Sequence, residues 1–83
     1  MNIDNFTLDA AGAAIVSSMK RDLADGKVII KTLFSNGFVW IYTQLPDGRF
    51  ERMDFSHKLV KTAAGYAPKL SQPKADFYDY FDD

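Results

Sequence analysis

The chain has 83 residues, a net charge of −1 and an aromatic content of 14%. This length allows one small domain, and large rings suit its core because each ring buries much apolar area. Cysteine is absent, which excludes disulfides, zinc–thiolate sites and thiol chemistry. The apolar runs are too short to span a bilayer and no basic leader precedes them, so we expect a cytoplasmic protein with no membrane partner.

Residues 8–25 show the apolar periodicity of an amphipathic helix. Thr7 is a suitable N-cap, and Gly26 is a suitable stop after the last turn. The large apolar side chains that would share one side of this helix are Leu8, Ile15, Met19 and Leu23. We therefore expect an N-terminal helix.

Two β-strands, "KVIIKTLF" and "FVWIYTQL", follow this segment. Asn36-Gly37 lies between them and favours a two-residue type I′ turn, because both residues tolerate positive φ. This turn sets the register of the hairpin. The predicted cross-strand pairs are Phe34 with Val39, Leu33 with Trp40 and Lys31 with Tyr42.

A third strand is predicted at residues 49–55. The sequence "LPDG" at 45–48 favours a bulged three-residue turn, because proline presets one turn residue and Gly48 adopts the left-handed one. The turn places Met53 opposite Ile41 and Arg52 opposite Tyr42. The fold class predicted is therefore α+β, with the N-terminal helix packed on a three-stranded antiparallel meander.

In this register the meander has one apolar face, which suits the helix, and one face that combines rings with cations. The residues of the second face that concern function are Trp40, Tyr42, Phe50, Lys31 and Arg52. Sheets bind single-stranded nucleic acid on such surfaces by stacking bases on rings and placing cations at phosphates. The alternatives are a second small core, or a protein-binding surface.

A short helix is expected after the sheet, from Ser56 to Ala64, with Gly65 as its stop. The next residues, "YAPKLSQPKA", read as an extended linker because Pro68 and Pro73 interrupt it. We therefore divide the chain into a compact domain at residues 1–66 and a linker with an acidic–aromatic tail at residues 67–83. That tail packs on the same domain or on a partner.

The tail ends in "DFYDYFDD", where four rings alternate with four aspartates. Disordered tails are poor in aromatic residues, which argues against a frayed end. As a lid, its rings would meet Trp40 and Tyr42 while its aspartates meet Lys31 and Arg52, and a lid on a second copy would make a homodimer. As a docking peptide, its rings would anchor in a groove while its aspartates steer it to a basic partner. The residues that would bind are Asp76, Phe77, Asp79, Tyr80, Phe81 and Asp82.

No pattern in the chain predicts catalysis, a cofactor or a metal. His57 follows Asp54 by three residues, but no activated nucleophile accompanies them, so we expect a structural role for His57. The tail aspartates lack the ligand spacing of a calcium loop. We expect a non-enzymatic module that binds a protein, with nucleic acid as the alternative ligand.

The compact layout without cysteine, ending in the acidic segment "DFYDYFDD", resembles the small inhibitors encoded by phages and mobile elements, including anti-CRISPR proteins. The resemblance covers size, layout and the acidic end, and it includes no shared motif. It implies a stoichiometric inhibitor of a host complex that handles nucleic acid.

Overall fold

The structure is a computed structural model that describes residues 7–82. Within this range, β1–β4 form one antiparallel sheet in the order β1-β2-β3-β4, and β5 and β6 form a separate antiparallel hairpin. The chain is nearly all β, so the predicted α+β class is wrong. The strands are β1 (Ile15–Asp22), β2 (Val28–Phe34), β3 (Val39–Gln44), β4 (Phe50–Phe55), β5 (His57–Thr62) and β6 (Gly65–Pro73), with a 3-10 turn at Ala24–Gly26.

The N-terminal helix predicted over residues 8–25 does not form. Ala11 and Gly12 adopt left-handed backbone angles, with φ of 53° and 82°, and no right-handed helix continues through such residues. The following residues form β1, which begins with the β-branched pair Ile15 and Val16. Pairing with β2 satisfies the backbone groups of this strand that face β2, and tertiary context therefore overrides the helical periodicity.

The turn between β2 and β3 contains the predicted Asn36-Gly37 but is one residue longer than predicted. The Phe34 amide donates to the Phe38 carbonyl at 2.9 Å, and Gly37 takes the left-handed position with φ of 87°. The predicted register is therefore wrong by one residue. Lys31 lies opposite Ile41 rather than Tyr42. A slip of one residue reverses which side chains of β2 and β3 share a face.

The turn between β3 and β4 has the predicted three-residue form, with the Leu45 amide donating to the Arg49 carbonyl at 2.8 Å. A β-bulge follows, because Gln44 lies opposite Phe50 while Thr43 lies opposite Arg52. Glu51 is the extra residue. Past it, the predicted partners shift by one: Tyr42 lies opposite Met53, and Ile41 lies opposite Asp54.

Hairpin β5–β6 replaces both the helix predicted at 56–64 and the linker predicted at 66–75. Leu59 pairs with Pro68, and Thr62 pairs with Gly65 across the turn. Proline is tolerated here because both strands of a two-stranded sheet are edge strands. The predicted boundary between residues 66 and 67 falls within β6.

The observed register gives the four-stranded sheet two faces, each with its own core. We call them the tail face and the ring face. The tail face carries Ile29, Lys31, Ile41, Thr43, Arg52 and Asp54, whereas the ring face carries Ile30, Phe34, Trp40, Tyr42, Phe50, Met53 and Phe55. The apolar face predicted as the seat of the helix is thus divided between them.

One end of the ring face is closed by the N-terminal segment and by β5. The Tyr66 amide donates to the Thr7 carbonyl at 2.9 Å, which ties this segment to the hairpin. The buried rings beneath are Phe34, Phe38 and Phe55, and packed against them are Leu8, Ala10, Ala13, Trp40, Met53 and Leu59.

Candidate functional site

The acidic–aromatic tail of the same chain packs on the tail face. Tyr80 is 3% exposed and forms a buried cluster with Ile29 and Ile41. Phe77 and Phe81 pack against the same cluster. Full burial of Tyr80 and partial burial of Phe77 and Phe81 remove much apolar area from water.

Polar contacts fix the position of the tail. Asp79 forms an ion pair with Lys31 and also accepts from the Phe81 amide at 3.0 Å. Burial alone would raise the pKa of Asp79, but the hydrogen bond and charge of Lys31, with the Phe81 amide, outweigh it and hold that pKa below its ordinary value. The Tyr78 amide donates to Asp54 at 3.0 Å. The tail aspartate Asp79 therefore pairs with Lys31, one of the two cations expected to contact the tail aspartates.

Contacts to its hydroxyl and to its ring fix the side chain of Tyr80. Its hydroxyl donates to the Arg52 carbonyl at 3.2 Å and accepts from the Thr43 hydroxyl at 3.4 Å. Burial raises the pKa of this hydroxyl above its ordinary value, against the opposing effects of the Thr43 hydrogen bond and the Arg52 charge. The Arg52 guanidinium lies 4.0 Å from the centre of the ring, a cation–π contact.

The predicted combination of rings and cations does not exist as one surface. Trp40, Tyr42 and Phe50 do lie together, with 4.4 Å between the first two ring centres and 5.1 Å between the last two. They lie on the ring face, however, while Lys31 and Arg52 lie on the tail face. Lys31 is separated by the extra residue in the β2–β3 turn, and Arg52 is separated by the β-bulge at Glu51. The tail rings consequently pack on Ile29 and Ile41, not on Trp40 and Tyr42 as expected of a lid.

The outer tail residues remain accessible. Asp76 and Asp82 are exposed, and Tyr78 is 50% exposed. Of the tail side chains predicted to bind a partner, the three rings and Asp79 contact the sheet of the same chain. Asp83 lies outside the described residues.

His57 is a strand residue rather than the first-turn helix residue that was predicted. Its Nδ1 lies 2.7 Å from the Ser56 hydroxyl oxygen, which also accepts from the Val39 amide at 2.8 Å. Asp54 receives the amides of Phe55 and Tyr78. The Ser56 hydroxyl thus joins the start of β5 to β3, and Asp54 joins β4 to the tail. Among residues 7–82, no group of three or more potential metal-ligating side chains comes together.

The outer edge of β1 is a surface that the sequence reading missed. Within the described chain, β1 is the first strand of its sheet and pairs on one side only, with β2. Ile15 and Val16 are 63% and 64% exposed, and Met19 is 42% exposed. The β-branched pair Ile15 and Val16 was the signal for a strand, but it lies within the segment whose periodicity predicted a helix.

The hydrogen-bonding alternation identifies which backbone groups of β1 point outward. The backbone amide of Phe34 donates to the Phe38 carbonyl, across the turn from β2 to β3. Backbone groups of successive residues in a strand point to opposite sides, so the even-numbered residues of β2 hydrogen-bond β3 and the odd-numbered residues hydrogen-bond β1. Met19 and Arg21 lie opposite Lys31 and Ile29, and therefore bond β2. The backbone groups of the even-numbered residues Ser18, Lys20 and Asp22 point away from the sheet.

Comparisons with family models, with curated proteins and with solved structures found no match for this chain. The resemblance to anti-CRISPR inhibitors gains no support from them, and its layout included a helix that the structure does not contain. No helix within residues 7–82 has the length and apolar character needed to cross a membrane.

Proposed function

We propose that this protein is a non-enzymatic protein-binding module, and that it binds an extended segment of a partner protein along the outer edge of β1. The observation that carries the proposal is the accessible edge itself, which presents outward backbone groups beside exposed apolar side chains. Addition of a strand to such an edge supplies main-chain hydrogen bonds, while pockets for alternate side chains supply specificity.

The exposed apolar side chains of β1 favour a partner over open solvent. Three large apolar residues are more than 40% exposed on this one strand: Ile15, Val16 and Met19. An accessible edge of this composition templates pairing with another chain. The bulge between Ile15 and Ser17 restricts regular pairing to the residues that follow it.

Charge identifies the class of partner. The second half of β1 carries Lys20 and Arg21 against Asp22, a net charge of +1. Two copies paired edge to edge with Lys20 opposite Lys20 would bring like charges together, which disfavours a homodimer of that register. The fitting occupant is a segment of another protein, with apolar residues opposite the first half of β1 and acidic residues opposite Lys20 and Arg21.

The geometry does not favour the other two binding predictions. Docking through the tail would require Tyr80 to leave a site where it is 3% exposed. Nucleic-acid binding by the predicted surface would require Lys31 and Arg52 on the same face as Trp40. Both cations lie on the tail face, whereas Trp40 lies on the ring face. A nucleic-acid-handling complex as the target stays a prediction, as does a cytoplasmic location.

A random 12-residue peptide library, selected for binding to the full chain, tests this function. We expect selected peptides to combine apolar with acidic residues and to shift the amide resonances of Ser18, Lys20 and Asp22. Ser18→Pro should reduce peptide affinity at least tenfold, because it removes an outward amide and leaves the bonds to β2 intact.

Val16→Lys should also weaken the selected peptides, whereas Leu70→Lys is the matched control. Leu70 is 48% exposed but lies in β6, away from the edge. Binding that survives both Ser18→Pro and Val16→Lys, in variants whose spectra remain those of the folded chain, would contradict the proposal.

A further inference from the structure

The tail leaves one part of the tail face uncovered, and a cleft of ≈ 580 Å³ lies there. One cross-strand row forms its floor and two of its sides: Arg21, Ile29, Thr43 and Arg52, contributed by β1 to β4 in order. Tyr80 closes the end toward the tail. The row places two arginines on opposite sides of a buried floor, since Ile29 and Thr43 are 4% and 6% exposed.

The charge of this cleft is positive. Lys27 also lines it but is neutralised by Glu51, whose carboxylate lies 3.1 Å from the ammonium. Neither Arg21 nor Arg52 forms an ion pair with any carboxylate in residues 7–82. Two guanidinium groups thus give the cleft a formal charge of +2.

Both guanidinium groups contact aromatic rings of the tail. That of Arg52 lies 4.0 Å from the Tyr80 ring centre, and that of Arg21 lies 5.9 Å from the Phe81 ring centre. Their Cα atoms are separated by three strand spacings, about 14 Å, and both residues line the cleft. Restricting these long side chains beforehand lowers the entropy lost when they bind a ligand.

We propose that this cleft binds a small phosphomonoester whose organic part is apolar. A phosphomonoester carries close to two negative charges at neutral pH, which matches the two arginines, and guanidinium forks bind phosphate oxygens in pairs. Ile29 and Leu23 supply the apolar contact for the organic part. The site differs from the outer edge of β1, where a partner strand would bond the outward backbone groups of Ser18, Lys20 and Asp22, but Arg21 lies close to both.

Titration of the full chain with phenyl phosphate, followed by amide resonances, tests the site. We expect saturable shifts at Arg21, Ile29, Thr43 and Arg52, and at least tenfold weaker binding of inorganic phosphate and of phenol. Equal affinity for inorganic phosphate, equal affinity for phenol, or the absence of saturation at millimolar phenyl phosphate would overturn the proposal.

The double variant Arg21→Gln with Arg52→Gln should bind phenyl phosphate at least tenfold more weakly. Its control is Lys58→Gln with Lys69→Gln, which makes the same change in net charge at exposed positions of β5 and β6. An equal loss in both double variants would show attraction to overall charge only and would overturn the proposal. Resonance dispersion identifies variants that remain folded.

Discussion

The two faces of the four-stranded sheet are covered in different ways. The tail face is covered by residues 77–81, which bring rings for Ile29 and Ile41 and a carboxylate for Lys31. The ring face is closed at one end by the N-terminal segment and β5, while Trp40, Tyr42 and Phe50 pack on one another at the other end and remain half-buried. A short segment can therefore cover the centre of a face when its charges match those beneath it, although it leaves a cleft at one side. Rings without such a cover pack on one another.

The largest effect should come from the ring that seals the tail face. Tyr80→Ala should lower the free energy of unfolding by about 3–5 kcal/mol, because it leaves a cavity over Ile29 and Ile41 and removes two hydrogen bonds. Chemical denaturation measures this. Tyr78→Ala is the matched control, and it should cost less than about 1 kcal/mol because Tyr78 is 50% exposed. Equal losses would show that the tail does not seal this face.

A smaller loss is expected on the ring face. Trp40→Ala should cost about 2–3 kcal/mol, because the indole contacts Tyr42 and Phe50 but is not fully enclosed. The same denaturation experiment gives the comparison with Tyr80→Ala. If Trp40→Ala proved the more costly of the two, the ring face rather than the tail face would be the main core.

The smallest effect should come from the ion pair beneath the tail. The folded-state pKa of Asp79 is depressed, so its contribution is complete above its unfolded pKa of about 3.9 and is lost as pH falls through the folded value. Asp79→Asn should therefore cost about 0.5–1 kcal/mol at pH 7 and give a flatter stability profile below pH 4. Thermal unfolding from pH 2 to pH 7 measures both. A variant whose acid limb matched that of the original chain would exclude this carboxylate as the cause.

Strands β2, β3 and β4 could be predicted from the sequence because their signals are local. Alternation in residues 28–34 and 39–44, with glycine at each turn, marks strands and turns without reference to the rest of the chain. β5 and β6 could not be predicted in this way. Proline interrupts most strands, and Pro68 is compatible with a strand only because that strand lies at the edge of its sheet, which the sequence does not show.

The predicted surface of rings and cations was wrong because the predicted register of the strands was wrong. Asn36-Gly37 is compatible with a two-residue and with a three-residue loop, since Gly37 can occupy the left-handed position in either. The choice between them depends on which side chains the tail and the N-terminal segment cover, which is not local information. That choice separated Trp40 from Lys31. The helix predicted over residues 8–25 was wrong for a related reason. Residues 15–22 pair with the edge of β2, and the presence of that edge is a tertiary feature.

The separation between Lys31 and Asp79, 48 positions in the chain, has a consequence for synthesis. At a translation rate of roughly 5–20 residues per second, the tail emerges several seconds after the strand that it covers. During that interval Ile29 and Ile41 lack their final cover, so we expect the nascent sheet to expose apolar surface to water. We expect the aspartates of the tail to help keep its rings in solution during that interval, because charged side chains favour contact with water.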